Sequence, residues 1–280
     1  MGQIKMEQRS PEWFEARKGR ITASSVGAIL GNSPNATRDD VMRRMVREWH
    51  GAENEVSGNI ATEYGVNNEA GAIIEYQMET GTTVQPIGFV TREDWAGASP
   101  DGSIGCGDDE YGLEVKCPFG LRKDANPEFK TLEDQPHYHD QVQFSLWVTG
   151  WKFWHFYQWN PAKTKMETVL PDLEWQANAL PRLRQFYAEY LVERESPEIH
   201  LAPKRAIVDT PEAHKIMAEY DQISEALENA EARKKELLAE MVRISGEKNT
   251  VFAGRSLTNT SRAGSIAYAK AIKELLPKAD

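Results

Sequence analysis

The stretch Leu113-Glu114-Val115-Lys116-Cys117 constrains the fold of this chain more than any other. Side chains two residues apart on a strand share a face. Leu113, Val115 and Cys117 therefore form an apolar face, and Glu114 and Lys116 form a polar one. One face must pack on a core while the other holds a carboxylate beside an ammonium. Upstream, Asp101 lies in Ser99-Pro100-Asp101-Gly102, where Pro and Gly bend the chain. A Glu-x-Lys pair alone is more often a plain ion pair on a strand. A turn that brings a second carboxylate to the strand gives it more weight.

Around this stretch the punctuation predicts a mixed α/β fold. Ser10-Pro11 opens a helix that Gly19 ends, with Ser10 as N-cap and Pro11 in the first position. A second helix runs from Thr22 or Ser24 to about Leu30, closed by Gly31. Thr37 to Trp49 and Thr62 to Thr80 read as two more. Thr83 to Ile104 is β-rich and broken by Pro and Gly, and Tyr111 to Cys117 is a strand. Tyr138 to Thr149 is a helix. Trp151 to Trp159 is a strand that is apolar on both faces, hence covered on both sides. Glu174 to Leu191 is a further helix. Helices first, then a sheet with a helix inserted, indicate a central mixed β-sheet flanked by helices.

Beyond Pro197 the composition shifts. Pro197, Pro203 and Pro211 mark a linker, so the expected division is residues 1–200 and 201–280. Ile216, Tyr220, Ile223, Leu227, Ala230, Leu237 and Met241 follow a heptad, interrupted by Lys234. They make a long amphipathic helix, expected to pack on the chain itself. Pairing with another copy and docking a partner remain open for it. A strand from Thr250 to Leu257 and a helix from Ser265 to Leu276 complete this C-terminal helical extension.

The net charge of -10 argues mildly against a general nucleic-acid coat protein, which carries a basic excess. It does not exclude an enzyme that contacts phosphates through a few placed arginines. Arg17, Lys18 and Arg20 form one basic cluster; Arg38, Arg43, Arg44 and Arg47 form a second, which reads as a solvated helix face. Cys106 and Cys117 show no metal-type spacing and read as core or near-core residues of a reducing, cytosolic setting. No apolar run reaches the ~18 residues of a membrane span, and the first ten residues lack the apolar stretch of a signal peptide. His137 and His139 read as surface or DNA-proximal residues, and Trp13 as core or as a DNA-end contact.

Two carboxylates and a lysine suit phosphodiester hydrolysis. Magnesium prefers carboxylate, carbonyl and water oxygens. Asp101 and Glu114, with the Val115 carbonyl, can supply them. A zinc site would need His or Cys at short spacing. Lys116 would orient or deprotonate the attacking water, or stabilise charge on the phosphoryl oxygens.

The order Asp101 … Glu114-x-Lys116 is the PD-(D/E)xK pattern, and its surroundings are more specific. Trp13 … Ala16-Arg17-Lys18-Gly19-Arg20-Ile21-Thr22-Ala23-Ser24, then Gly65 … Glu69, then the two stretches above, then Tyr138 … Gln141-Val142-Gln143 … Trp147-Val148-Thr149 resemble the lambda exonuclease family, also called YqaJ viral recombinases. The agreement spans about Glu7 to Tyr190. The resemblance implies a restriction-endonuclease-like α/β core and 5′-to-3′ digestion of double-stranded DNA ends, leaving 3′ single-stranded overhangs. It implies Mg2+, two ions, with Mn2+ an acceptable substitute. It also implies a ring-shaped trimer, a single-strand annealing protein (RecT/Beta-like) as partner, and a phage or prophage protein in the bacterial cytoplasm. Carried over by position, Asp101, Glu114, Glu69 and the Val115 carbonyl would serve the metals, and Lys116 would be the catalytic lysine. Arg17, Ser24, Ser99 and Gln141 would bind the terminal 5′ phosphate. The C-terminal extension has no counterpart in the shorter members. If it drives its own assembly, the trimer is in doubt. The competing readings are a PD-(D/E)xK endonuclease or RecB-type nuclease, an inactive DNA-binding recombination scaffold, and a structural protein built on the heptad helix.

Overall fold

The computed structural model describes residues 2–4, 7–52, 59–203, 208–246 and 248–258. It divides into two compact units, Met1–Ala206 and Ile207–Asp280. The first unit runs β1 (Gly2–Ile4), α1 (Pro11–Arg17), β2 (Ile21–Thr22), α2 (Ala23–Leu30), α3 (Arg38–Trp49), α4 (Ile60–Thr80), β3 (Phe89–Arg92), β4 (Ala96–Ala98), β5 (Gly102–Ile104), β6 (Tyr111–Lys116), α5 (Pro136–Thr149), β7 (Trp154–Asn160), β8 (Lys163–Val169), α6 (Leu173–Glu193) and α7 (Glu198–Leu201).

The helix ends follow local chemistry. The side chains of Ser10 and Thr37 accept from the backbone N–H groups of Trp13 and Asp40, and Thr37 and Asp40 form a reciprocal capping box. Gly31, Gly81 and Gly150 close α2, α4 and α5 in the left-handed conformation, which glycine adopts without a Cβ penalty.

The strands form two four-stranded mixed sheets, β1-β3-β4-β2 and β5-β6-β7-β8. Only Ser99–Asp101 separate β4 from β5, so one short segment connects the two sheets. β6 and β7 run parallel, joined by α5, with Glu114 opposite Phe156 and Lys116 opposite Gln158. Both faces of β7 are covered: Trp154, Phe156 and Tyr157 are all fully buried. Leu113 and Val115 pack in one core cluster with Ala72 and Tyr76 of α4, while Phe156 lies in another with Val142 and Leu146 of α5. β6 is thus held between α4 and α5, and its polar residues are fixed by what surrounds them.

Gly112 shows how closely β6 and β7 approach. A Cβ there would fall 2.5 Å from the ring of buried Trp154. Gly112→Ala is expected to destabilise the protein by about 1–3 kcal/mol, the usual cost of overpacking a core. Urea denaturation will show it; an unchanged midpoint would mean that β6 and β7 separate easily.

Several expectations need correction. Cys106 is exposed rather than core, and Cys117 is half-buried. The second basic cluster is not a solvated face. Arg43 and Arg47 donate to the last carbonyls of α7 and the residue after it: Arg43 to Ile199 (2.8 Å) and Ala202, Arg47 to His200 (3.1 Å) and Leu201 (2.9 Å). Among the described residues those carbonyls have no helical partners, and the two arginines staple α7 to α3. Arg38 pairs with Glu189 of α6. β8 was not foreseen. It is an edge strand with polar residues on both faces, so it shows no apolar alternation; its pairing with β7 places it.

In the second unit, α8 (Pro211–Ser245) is capped by Thr210 and followed by the antiparallel hairpin β9 (Thr250–Phe252) and β10 (Arg255–Leu257). The expected single strand is therefore a hairpin, turned at Ala253 and Gly254, both with positive φ. Among the described residues no side chain of α8 is buried. The helix expected over Ser265–Leu276 lies outside the described residues. Among the described residues no helix is long and apolar enough to cross a membrane.

Candidate active site

The polar end of β6 opens into a cavity of about 630 Å3, lined in part by Glu69 of α4, Asp101, Val115, Lys116 and Tyr138. Asp101 is fixed twice. Its backbone N–H donates to the Leu113 carbonyl (3.1 Å), and its Oδ2 accepts from the Val115 N–H (2.7 Å). The turn carboxylate is thereby locked to the strand that carries Glu114 and Lys116.

Glu114 is buried, only 3% exposed. Its Oε1 accepts from Lys116 Nζ at 2.6 Å and from Gln141 Nε2 of α5. The Lys116 ammonium also sits 4.8 Å from the centre of the Tyr138 ring, a cation–π contact. Glu69 accepts from Arg9 at 3.4 Å.

The electrostatics of this corner are those of crowded negative charge. Burial raises the Asp101 carboxyl well above the usual carboxylate range, and the charges of Glu114 and Glu69 push it further. Glu69 is raised by burial first, with Glu114 adding to it against Arg9. Burial alone would lower Lys116, but the charge of Glu114, with Tyr138 and Asp101, outweighs it, and the net shift is upward. Lys116 therefore holds its proton at neutral pH in this structure. The same contacts that raise its pKa fix the ammonium beside Glu114.

Among the described residues no three His, Cys, Asp or Glu side chains already converge as a metal cage. Each carboxylate is held by a protein donor. The donor set nevertheless fits a hard divalent cation: carboxylates that raise one another's affinity for protons, with a strand carbonyl beside them. Asp101, Glu114 and Glu69 are the side chains that would hold it.

A second cavity, about 480 Å3, lies between α1, α2 and α3. Arg17, Ser24, Ser25 and Arg44 line it. Arg17 Nη1 donates to Ser99 Oγ at 3.1 Å, and Trp13 Nε1 donates to the same oxygen at 2.9 Å. The Arg17 guanidinium stacks 3.9 Å from the Trp13 ring centre. Burial, offset in part by Glu48, lowers its pKa to about 10, still leaving it charged at neutral pH. Arg44 donates to Ser25 Oγ at 2.7 Å.

Of the four residues expected to clasp a phosphate, Arg17, Ser24 and Ser99 thus belong together. Gln141 stands apart from them, on Glu114. Arg44 and Ser25 were missed. Arg44 sits in an arginine-rich helix, and its sequence neighbours give no sign that it, exposed as it is, reaches Ser25 at the cavity. Trp13, left open between core and contact, is half-buried and orients both Arg17 and Ser99.

Comparison with known proteins agrees with this architecture. Two structures of the alkaline exonuclease LHK-Exo from Laribacter hongkongensis, one of them in complex with dAMP, are 26% identical to the chain. They cover 69% of it and 98% of their own length, with TM-scores of 0.54 and 0.55. No curated protein matches the chain by sequence. The model of the YqaJ-like viral recombinase domain matches residues 12–152, just over half of the chain and the whole of both cavities' arginine, carboxylate and lysine framework. The fold is the restriction-endonuclease-like α/β core with a C-terminal helical extension, and the chain belongs to the YqaJ-like viral recombinase family of lambda exonuclease-like nucleases.

Proposed function

We propose that the chain is a Mg2+-dependent 5′-to-3′ exonuclease of double-stranded DNA that leaves 3′ single-stranded overhangs for phage-type recombination. One observation carries the reading: Glu69, Asp101 and Lys116 line one cavity, buried Glu114 is bonded to Lys116 beside it, and Ser99, two residues before Asp101, accepts from Arg17 of the second cavity. Likeness to an alkaline exonuclease supports the same chemistry.

When bound, the metal would polarise the phosphate and lower the pKa of a water; Mg2+, two ions, fits the donor set, and Mn2+ substitutes. Asp101, Glu114, Glu69 and the Val115 carbonyl would hold it. Lys116, protonated and 2.6 Å from Glu114, stabilises charge that develops on the phosphoryl oxygens. Gln141 fixes the Glu114 carboxylate. Arg17, Ser24 and Ser99 receive the terminal 5′ phosphate, with Trp13 setting the angle of the guanidinium. A clasp for an end phosphate favours an exonuclease, because an endonuclease meets no end. The ring-shaped trimer, the RecT/Beta-like annealing partner and the cytoplasmic setting rest on the family resemblance.

Digestion of two DNAs with Mg2+ or EDTA tests the reading. A linear duplex with 5′ phosphates is expected to be lost from its 5′ ends only with Mg2+, and a covalently closed circle to survive. Nicking of the circle would move the protein to the endonuclease reading. Cleavage of neither would favour the scaffold.

A further inference from the structure

We propose that Phe14 is a stacking platform for the heterocyclic base of the 5′-terminal nucleotide. The proposal rests on the end-binding reading above and names the part of the DNA end that the phosphate clasp does not reach. Phe14 is 60% exposed on a helix with no buried residue, yet it lines the Arg17 cavity. The same cavity is lined by Arg17 and Lys18 from the end of that helix, and by Arg20, Arg44 and the hydroxyls of Ser24 and Ser25; Glu15 and Glu48 also border it, and Glu48 lies 3.8 Å from Arg44. A flat apolar ring in one cavity with several cations and hydroxyls suits a ligand with an anionic end and a flat, weakly polar body. A nucleotide has both.

The ring is also oriented in advance. Phe14 meets Trp13 edge to face, with centroids 5.0 Å apart and planes at 82°. Trp13 is held by its bond to Ser99, and Arg17 lies against its face. Little side-chain freedom of Trp13 is left to lose on binding. Stacking on an aromatic ring tolerates every base, as an enzyme that removes each nucleotide in turn requires. The Ser99 hydroxyl that orients this assembly lies two residues before Asp101, so the end-binding wall and the carboxylate cavity are built on one chain segment.

Equilibrium binding with Ca2+ in place of Mg2+ tests this on 5′-phosphorylated duplexes whose 5′-terminal nucleotide is either intact or abasic. The wild type is expected to bind the intact end roughly 5- to 100-fold more tightly than the abasic one, the range of a single base–aromatic stack. Phe14→Ala is expected to bind both ends alike, at the abasic level, and Phe14→Trp to restore the difference. Equal weakening of both ends by Phe14→Ala, or a base preference that survives it, would overturn the proposal. A wild type indifferent to the 5′ phosphate itself would instead overturn the end-binding reading, and this proposal with it.

Discussion

Lys116→Ala is expected to lower the single-turnover rate of DNA hydrolysis by on the order of 10²–10³-fold while leaving DNA binding with Ca2+ nearly unchanged. The expectation follows from where the ammonium is and what state it is in. Lys116 Nζ lies 2.6 Å from Glu114 and over the Tyr138 ring, and its net pKa shift is upward. The ammonium is held in place before the phosphate arrives, so its removal is expected to take away a preorganised cation. The same substitution leaves Glu114, nearly inaccessible, with Gln141 as its remaining bonded side chain. Metal-free Lys116→Ala should therefore be less stable by on the order of 3 kcal/mol, the cost of stripping one partner from a buried pair. Mg2+ should recover much of that loss, because it replaces the missing positive charge. A variant that hydrolyses DNA at the wild-type rate would sink the assigned role. One that loses DNA binding in proportion to activity would make Lys116 a binding residue instead.

Much of this corner is legible in the sequence, and the reason is geometric. The two-residue period of β6 places Glu114 and Lys116 together, and a Pro-Asp-Gly turn needs no tertiary information to reverse the chain. Caps are equally local, which is why Ser10 and Gly31 read correctly. What could not be read depends on neighbours distant in sequence. Gln141 on a helix surface and Gln141 held to Glu114 have the same local pattern. Arg43, Arg44 and Arg47 look alike, yet Arg43 and Arg47 staple α7 while the exposed Arg44 bonds Ser25 at the edge of a cavity. β8 is defined by pairing with β7, since its own residues carry no apolar face. Glu69 shows the limit most clearly: on α4 it has no sequence signal of its own, and only the fold brings it to the cavity with Asp101.

Asp101→Asn is expected to do two opposite things. Hydrolysis with Mg2+ should fall by on the order of 10³-fold or more, because a metal-holding carboxylate becomes a neutral amide. The metal-free protein should become more stable, by about 0.5–2 kcal/mol, the usual yield of relieving a functional site. The substituted amide keeps an oxygen that can accept the Val115 N–H, so the turn stays tied to β6. What the substitution removes is a carboxyl whose pKa is raised by burial, Glu114 and Glu69. A raised carboxyl pKa means that ionisation disfavours the folded state. Below the ordinary carboxylate range the group is protonated in both states and costs nothing. As pH rises past that range the unfolded chain ionises first, and stability is lost until the folded carboxyl has ionised as well. The stabilisation by Asp101→Asn should therefore be small in acid, grow through and above the ordinary carboxylate range, and level off. In saturating Mg2+ the order should reverse, since the wild type gains more from a cation that its carboxylates hold. Thermal melts of both proteins across pH, with EDTA and with Mg2+, read all four corners. A variant less stable than wild type in EDTA at every pH would mean that Asp101 is a structural clamp whose charge the fold already satisfies, and the metal assignment of the cavity would lose its electrostatic support.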